Sequence, residues 1–114
     1  RLGVAMGAKA ETFYGLSGIG DLIVTCASVH SRNRKAGFLM GQGRTMEEAM
    51  KEVNMVVEGV YSAKAGMELA KKYHVEMPII EQVNEVLFEG KTPADAVKEL
   101  MVRDKKIENW DFEW

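Results

Sequence analysis

Gly15 to Gly43 reads GLSGIGDLIVTCASVHSRNRKAGFLMGQG, two helix-forming runs joined by a polar break. The first run, Leu16 to about Cys26, is apolar on most sides through Leu16, Ile19, Leu22, Ile23 and Val24, which predicts a helix inside the protein. Gly18 and Gly20 would let neighbouring backbone approach it closely. Asp21 stands in this run as a buried-looking acid, and Cys26 reads as a small buried hydrophobe rather than a nucleophile. Ser28 to Ser31 ends the helix, and Ser31 is a good N-cap for a second one through Arg34 to about Met40, closed by Gly41 or Gly43. Packing of Phe38, Leu39 and the Leu16 to Cys26 helix is expected to hold that start in place. Asp21 and the cluster Ser31, Arg32, Asn33 and Arg34 thus form a binding edge carried on short helices. No Asp or Glu occurs from Leu22 to Met46, although the chain carries 17 acidic residues against 15 basic ones. That local imbalance favours an anionic partner.

Outward from this stretch the pattern stays helical. Arg1 to roughly Gly7 reads as a helical remnant without an initial methionine or a capping residue, as if cut part-way along, which predicts a piece of a longer chain. Ala8 to Gly15 is a connector. Thr45 and Glu48 form a capping-box pattern for a short helix to about Val53, and Asn54 to Val57 is an extended link. A longer helix follows from about Glu58 to Tyr73, with Val60, Ala63, Met67 and Ala70 inward and Glu68, Lys71 and Lys72 outward. Pro78 opens the next, with Ile79, Ile80, Val83, Val86 and Leu87 inward, and Gly90 stops it. Thr92 and Pro93 start a last helix to about Arg103, with Ala96, Val97, Leu100 and Met101 as its apolar side. The tail carries Trp110, Phe112 and Trp114, which either anchor it to the surface or leave it loose. No repeat and no useful β-alternation appears.

At 114 residues and 46% hydrophobic content the chain is enough for one compact domain spanning 1–114. The formal net charge of −2 argues against broad nucleic-acid binding. The single cysteine excludes an internal disulfide and fits a reducing compartment, with the cytoplasm as the default. No apolar run approaches a membrane span or a signal peptide. His30 and His74 lie far apart with one cysteine in the chain, so no metal site is expected. Gly18-Ile19-Gly20 is not a dinucleotide fingerprint, because position 23 is Ile and no strand precedes it.

An anion at the Ser31 helix start would gain from free backbone N–H groups and the positive dipole end. Arg32 would add a planar charged fork and Asn33 an amide donor. Against this stands a blander reading, in which SRNRK is a solvated basic helix start and Asp21 neutralises one of the arginines.

The run LSGIGDLIVTC, then SRNR, then VVEGVYSA resembles the C-terminal domain of bacterial-type NAD(P)-dependent glycerol-3-phosphate dehydrogenases, over essentially the whole chain from Arg1 to near Arg103. Ala27 departs from the Thr often found there. The fold this resemblance implies is all-α, the multi-helical substrate domain of the 6-phosphogluconate dehydrogenase C-terminal-domain-like type. It implies that Asp21, Ser31, Arg32 and Asn33 belong to the sn-glycerol 3-phosphate site, with Arg32 and Asn33 gripping the phosphate and Asp21 ordering the reacting end near the catalytic lysine. Arg32, Val56 and Glu58 would border the cofactor, NAD or NADP. The implied reaction interconverts dihydroxyacetone phosphate and sn-glycerol 3-phosphate by hydride transfer with NAD(P)H, for glycerophospholipid precursor synthesis. No catalytic residue is assigned within the chain. In the family the lysine and the Rossmann domain come from sequence before Arg1, so the 114-residue piece alone is expected to be inactive. The partners implied are a phosphorylated small molecule and the N-terminal Rossmann domain of the same chain, without nucleic acid or a membrane span. The sequence is silent on oligomeric state, and a homodimer is admitted. The alternative is a stand-alone helical module that binds a phosphorylated ligand or protein without catalysis, and a third reading, nucleic-acid binding through SRNRK, is disfavoured by the acidic total.

Overall fold

The computed structural model of the protein describes residues 1–103; the tail with Trp110, Phe112 and Trp114 lies outside them. The described residues form seven α-helices and no strand: α1 (Leu2–Ala5), α2 (Asp21–Ala27), α3 (Arg32–Gly41), α4 (Met46–Val53), α5 (Glu58–Tyr73), α6 (Pro78–Phe88) and α7 (Pro93–Val102). Between α1 and α2 lie a 3-10 helix, Ala10–Tyr14, and a π-helical turn, Leu16–Gly20. The connector expected over Ala8 to Gly15 is therefore itself helical in part.

Local chemistry sets most of these boundaries. The Ser31 hydroxyl accepts the Arg34 N–H at 3.2 Å to open α3. At α4 the capping box is complete: Glu48 N–H donates to Thr45 Oγ1 at 3.2 Å, and Thr45 N–H donates to Glu48 Oε2 at 3.0 Å. Thr92 Oγ1 accepts the Asp95 N–H at 3.2 Å, with Pro93 in the first turn of α7. Stops are made in the left-handed region, by Asn54 after α4 and His74 after α5, both at φ 54°.

The interior is small-residued. Its buried apolar members are Ala36, Leu39, Ala49, Val57, Val60, Ala63, Ala70 and Ala96. Ala36, Val57 and Val60 form one cluster, covered by Met46, Met50, Val53 and Leu87. These residues come from α3 to α6, so α3 and α5 meet over a shared floor.

Polar clamps tie the later helices. Asn84 Nδ2 on α6 donates to the Ala63 carbonyl of α5 at 2.8 Å and to the Ile80 carbonyl at 2.9 Å. Removing a cross-helix amide that is partly buried leaves no equivalent partner. Asn84→Leu is therefore expected to lower stability by about 1–2 kcal/mol, which a circular-dichroism melt would read as a Tm drop of roughly 5–10 °C.

Between α6 and α7, Lys91 Nζ binds Glu85, Glu99 at 2.8 Å and Gln82 Oε1 at 2.8 Å. Gln82 Nε2 reaches Glu99 at 3.0 Å. Hydrogen bonds from Glu85 and then Glu99 raise the Lys91 ammonium pKa, and those from Lys91 and then Gln82 lower the Glu99 carboxyl pKa. The contribution of this cluster is thus present between the ordinary carboxylate and lysine ranges. It is lost as pH falls through the lowered Glu99 value or rises through the raised Lys91 value.

Several expectations are corrected. The apolar run of the π turn and α2 is not inside: Leu16 is 91% exposed and Leu22, Ile23 and Val24 are exposed too, as are Asp21 and Cys26. The reason is topological. The 3-10 helix, the π turn and α2 pack chiefly on one another rather than on α3 to α7. A Cβ at Gly18 would overlap the Phe13 main chain, which is why glycine is needed there, and the Phe13 ring lies over Gly3 of α1. The body is accordingly elongated, 44 × 30 × 24 Å with a radius of gyration of 15.2 Å, against about 13 Å for a compact domain of this length. The start of α3 rests on buried Ala36 and Leu39 rather than on α2, and Phe38 faces outward. Ile79, Val97 and Met101 are likewise exposed, because nothing among the described residues covers that side of α6 and α7.

Candidate functional site

The N-termini of α3 and α5 converge. Asn33, in the first turn of α3, accepts the Gly59 N–H of α5 on its Oδ1 at 2.9 Å. The bond has a cause in the sequence. Residue 57, at the N-cap of α5, is Val, which makes no side-chain cap, so the first N–H groups of the helix need an acceptor from elsewhere. Val57 is instead 2% exposed and anchors the junction to Ala36 and Val60. Asn33 supplies the missing cap from 26 residues away.

Charge at the start of α3 is one-sided, although Glu58 stands across the junction at the start of α5. The first turns of α2, α4, α5, α6 and α7 each hold an acid: Asp21, Glu47 with Glu48, Glu58, Glu81 and Asp95. The first turn of α3 holds none, and carries Arg32 and Arg34 with Lys35 next to it. Among the described residues none of these three cations makes an ion pair. Cations at the positive end of a helix are disfavoured unless a negative partner arrives, so this corner is set up for an anion. The site's donors are the Arg32 guanidinium and the Asn33 amide. The Ser31 hydroxyl accepts the capping N–H of Arg34 on its oxygen and keeps its own O–H as a further donor. The bond from a main-chain N–H uses the Asn33 oxygen, so its unused polar end is the NH₂ group with two donors.

The residues singled out in the sequence are only partly brought together. Ser31, Arg32 and Asn33 share one turn, and Asn33 joins them to Gly59, adjacent to Glu58. Glu58 and Val56 are exposed on the same junction. Asp21 opens α2, and its carboxylate makes no hydrogen bond or ion pair with Arg32, Arg34 or any other described residue. The reading in which it neutralises an arginine is therefore set aside. Gly59 was missed. The signal was present, since an apolar residue at a helix start two positions before a glycine asks for a cap from outside.

The described helices include none long and apolar enough to cross a membrane. Comparison with known proteins is consistent across sequence and structure. The family of NAD-dependent glycerol-3-phosphate dehydrogenase C-termini matches residues 1–98. A glycerol-3-phosphate dehydrogenase [NAD(P)+] of Fusobacterium nucleatum is 72% identical over 94% of this chain, which covers 32% of that relative. One of Agathobacter rectalis is 69% identical over 99% of the chain and 34% of its own length. The crystal structure of glycerol-3-phosphate dehydrogenase from Coxiella burnetii superposes with a TM-score of 0.87 at 41% identity, over 90% of this chain and 32% of that one. The chain thus spans about a third of the length of the relatives it matches. On a match over residues 1–98 that takes in both α3 and α5, the chain belongs to the family of NAD-dependent glycerol-3-phosphate dehydrogenase C-termini.

Proposed function

We propose that this chain is the substrate-binding part of a cytoplasmic enzyme that interconverts dihydroxyacetone phosphate and sn-glycerol 3-phosphate, a precursor of glycerophospholipids. The observation that carries this is the α3–α5 junction. It gathers an unpaired guanidinium and a carboxamide with its oxygen already engaged at the positive end of a helix. Arg32 meets the phosphate as a planar fork, and the Asn33 NH₂ adds a neutral donor. Together they fix one end of a three-carbon substrate and leave its carbonyl end to face the remainder of the enzyme. Asp21 is assigned to that end, where a carboxylate can order a hydroxyl group and a neighbouring lysine ammonium. Val56 and Glu58 give an apolar and an acidic edge that fit one border of a nicotinamide cofactor, NAD or NADP, rather than a whole dinucleotide site. The cofactor, when bound, supplies the hydride for the carbonyl carbon. The proton for the carbonyl oxygen comes from a lysine that the family resemblance puts in the part of the relatives this chain does not span.

The apolar residues exposed on the π turn and α2 support the same reading, since a surface of this kind is ordinarily covered by another part of the protein. The anion site itself is open to test in the chain alone. Inorganic phosphate titrated against it is expected to shift the amide resonances of Ser31, Arg32, Asn33 and Gly59, with a Kd in the millimolar range or weaker, because one helix end and one arginine supply only about 2–4 kcal/mol. Arg32→Ala should abolish those shifts. If other amides move while these stay still, or Arg32→Ala changes nothing, the phosphate is not held here.

A further inference from the structure

We propose that Gly59 is a positioning residue for the phosphate site: by lacking a side chain it admits the Asn33 carboxamide to the N-terminus of α5, and that bond aims the Asn33 NH₂ at the substrate. The inference rests on the reading of α3 as the phosphate-binding helix.

The geometry is specific to residue 59. A Cβ there would lie 2.8 Å from Asn33 Oδ1, 2.9 Å from Cγ and 3.3 Å from Nδ2. The whole carboxamide therefore sits over the glycine, and any side chain displaces the group rather than brushing its tip. Asn33 is held at both ends. Its backbone belongs to α3, whose floor is buried Ala36, and its oxygen is taken by α5, whose floor is buried Val57 and Val60. An amide restrained in this way presents its two N–H donors in one orientation, with no need to fix a free side chain when the anion arrives. Neither donor has a partner among the described residues. The glycine thus does two things at once: its N–H is capped, and its missing methyl lets the cap become a substrate donor.

The test is a double-mutant cycle in the complete dehydrogenase that contains this chain, with Tm measured for each variant. Gly59→Ala is expected to raise KM for dihydroxyacetone phosphate about tenfold with a smaller effect on kcat, because the donor is displaced by on the order of 1 Å. Asn33→Ala should do at least as much. Combined, the two should cost no more than Asn33→Ala alone, since Gly59 acts only through Asn33. Additive effects would overturn the proposal, as would an unchanged KM in a folded Gly59→Ala protein. Asn33→Asp provides a second arm that does not depend on Gly59→Ala folding. It keeps an acceptor for the Gly59 N–H, so Tm should hold, but it removes both donors and adds a negative charge, so KM should rise beyond the Gly59→Ala value. A normal KM in Asn33→Asp would show that Asn33 is a helix cap and nothing more. Arg32→Ala, run in parallel, separates the two levels. If it leaves KM unchanged, the phosphate-site reading fails and this inference with it. If it raises KM while the cycle is additive, the inference alone falls.

Discussion

The 114-residue chain by itself is expected to leave NADH and NADPH unoxidised in the presence of dihydroxyacetone phosphate. Hydride transfer needs donor and acceptor carbons held about 3–3.5 Å apart with aligned orbitals, and a placed proton donor. The described residues supply the Arg32 and Asn33 corner proposed for the phosphate but no strand-turn-helix on which a dinucleotide could be laid, and their glycine pair at Gly18 and Gly20 is built into a π turn instead. Positioning one end of a substrate without the reacting partner leaves the barrier essentially where water leaves it, and enzymes of this kind depend on accelerations of roughly a millionfold or more. The measurement is absorbance at 340 nm, a wavelength at which reduced nicotinamides absorb and the oxidised forms do not, using protein from a host lacking its own glycerol-3-phosphate dehydrogenase. Turnover that scales with the purified chain would show that the reading as a partial enzyme is wrong.

In the complete enzyme, Arg32→Lys is expected to reduce kcat/KM on the order of a hundredfold, equivalent to about 2–3 kcal/mol of transition-state binding. The charge is kept, so long-range attraction of the substrate persists. What is lost is the planar fork, which can place two parallel N–H donors on two phosphate oxygens, whereas an ammonium offers a point charge on a longer search. The loss should be large here because no carboxylate among the described residues competes for Arg32, so its whole hydrogen-bonding capacity is available to the ligand. Steady-state kinetics with dihydroxyacetone phosphate, alongside a non-phosphorylated ketone such as dihydroxyacetone, isolates the effect. The wild-type preference for the phosphorylated substrate should shrink by the same factor. An unaltered preference would move the phosphate elsewhere.

What could be read from the chain in one dimension was whatever depends on neighbours within a turn or two. Ser31, Thr45 with Glu48, and Thr92 mark helix starts through bonds to residues three positions on, and Pro78 and Pro93 by sitting in the first turn, and the structure has each of them in that place. The stripe of Val60, Ala63 and Ala70 also faces inward as its period requires. The misreadings share one physical origin. Leu16, Leu22 and Val24 look buried because they are apolar, but burial needs a partner surface, and among the described residues α2 has almost none beyond the π turn. Asp21 inherits the error, since its presumed burial came from those neighbours. The sequence around Val57 signals that α5 lacks a cap of its own, but that Asn33 supplies it depends on two distant motifs meeting, which only the fold shows.

The separate packing of residues 10–27 has a further consequence. Sub-global opening in proteins follows the boundaries where packing thins, and here that boundary falls between Asp21 on one side and Arg32 with Asn33 on the other. In the chain alone, the two faces proposed for one substrate thus lie on units that pack separately, and a ligand touching both would have to bring them into register. Part of its intrinsic affinity then appears as order in the protein rather than as tightness of the complex. A molecule that engages only the α3 corner escapes that requirement, so simple phosphate esters lacking the carbonyl end should bind more tightly, relative to substrate, than their shorter list of contacts implies.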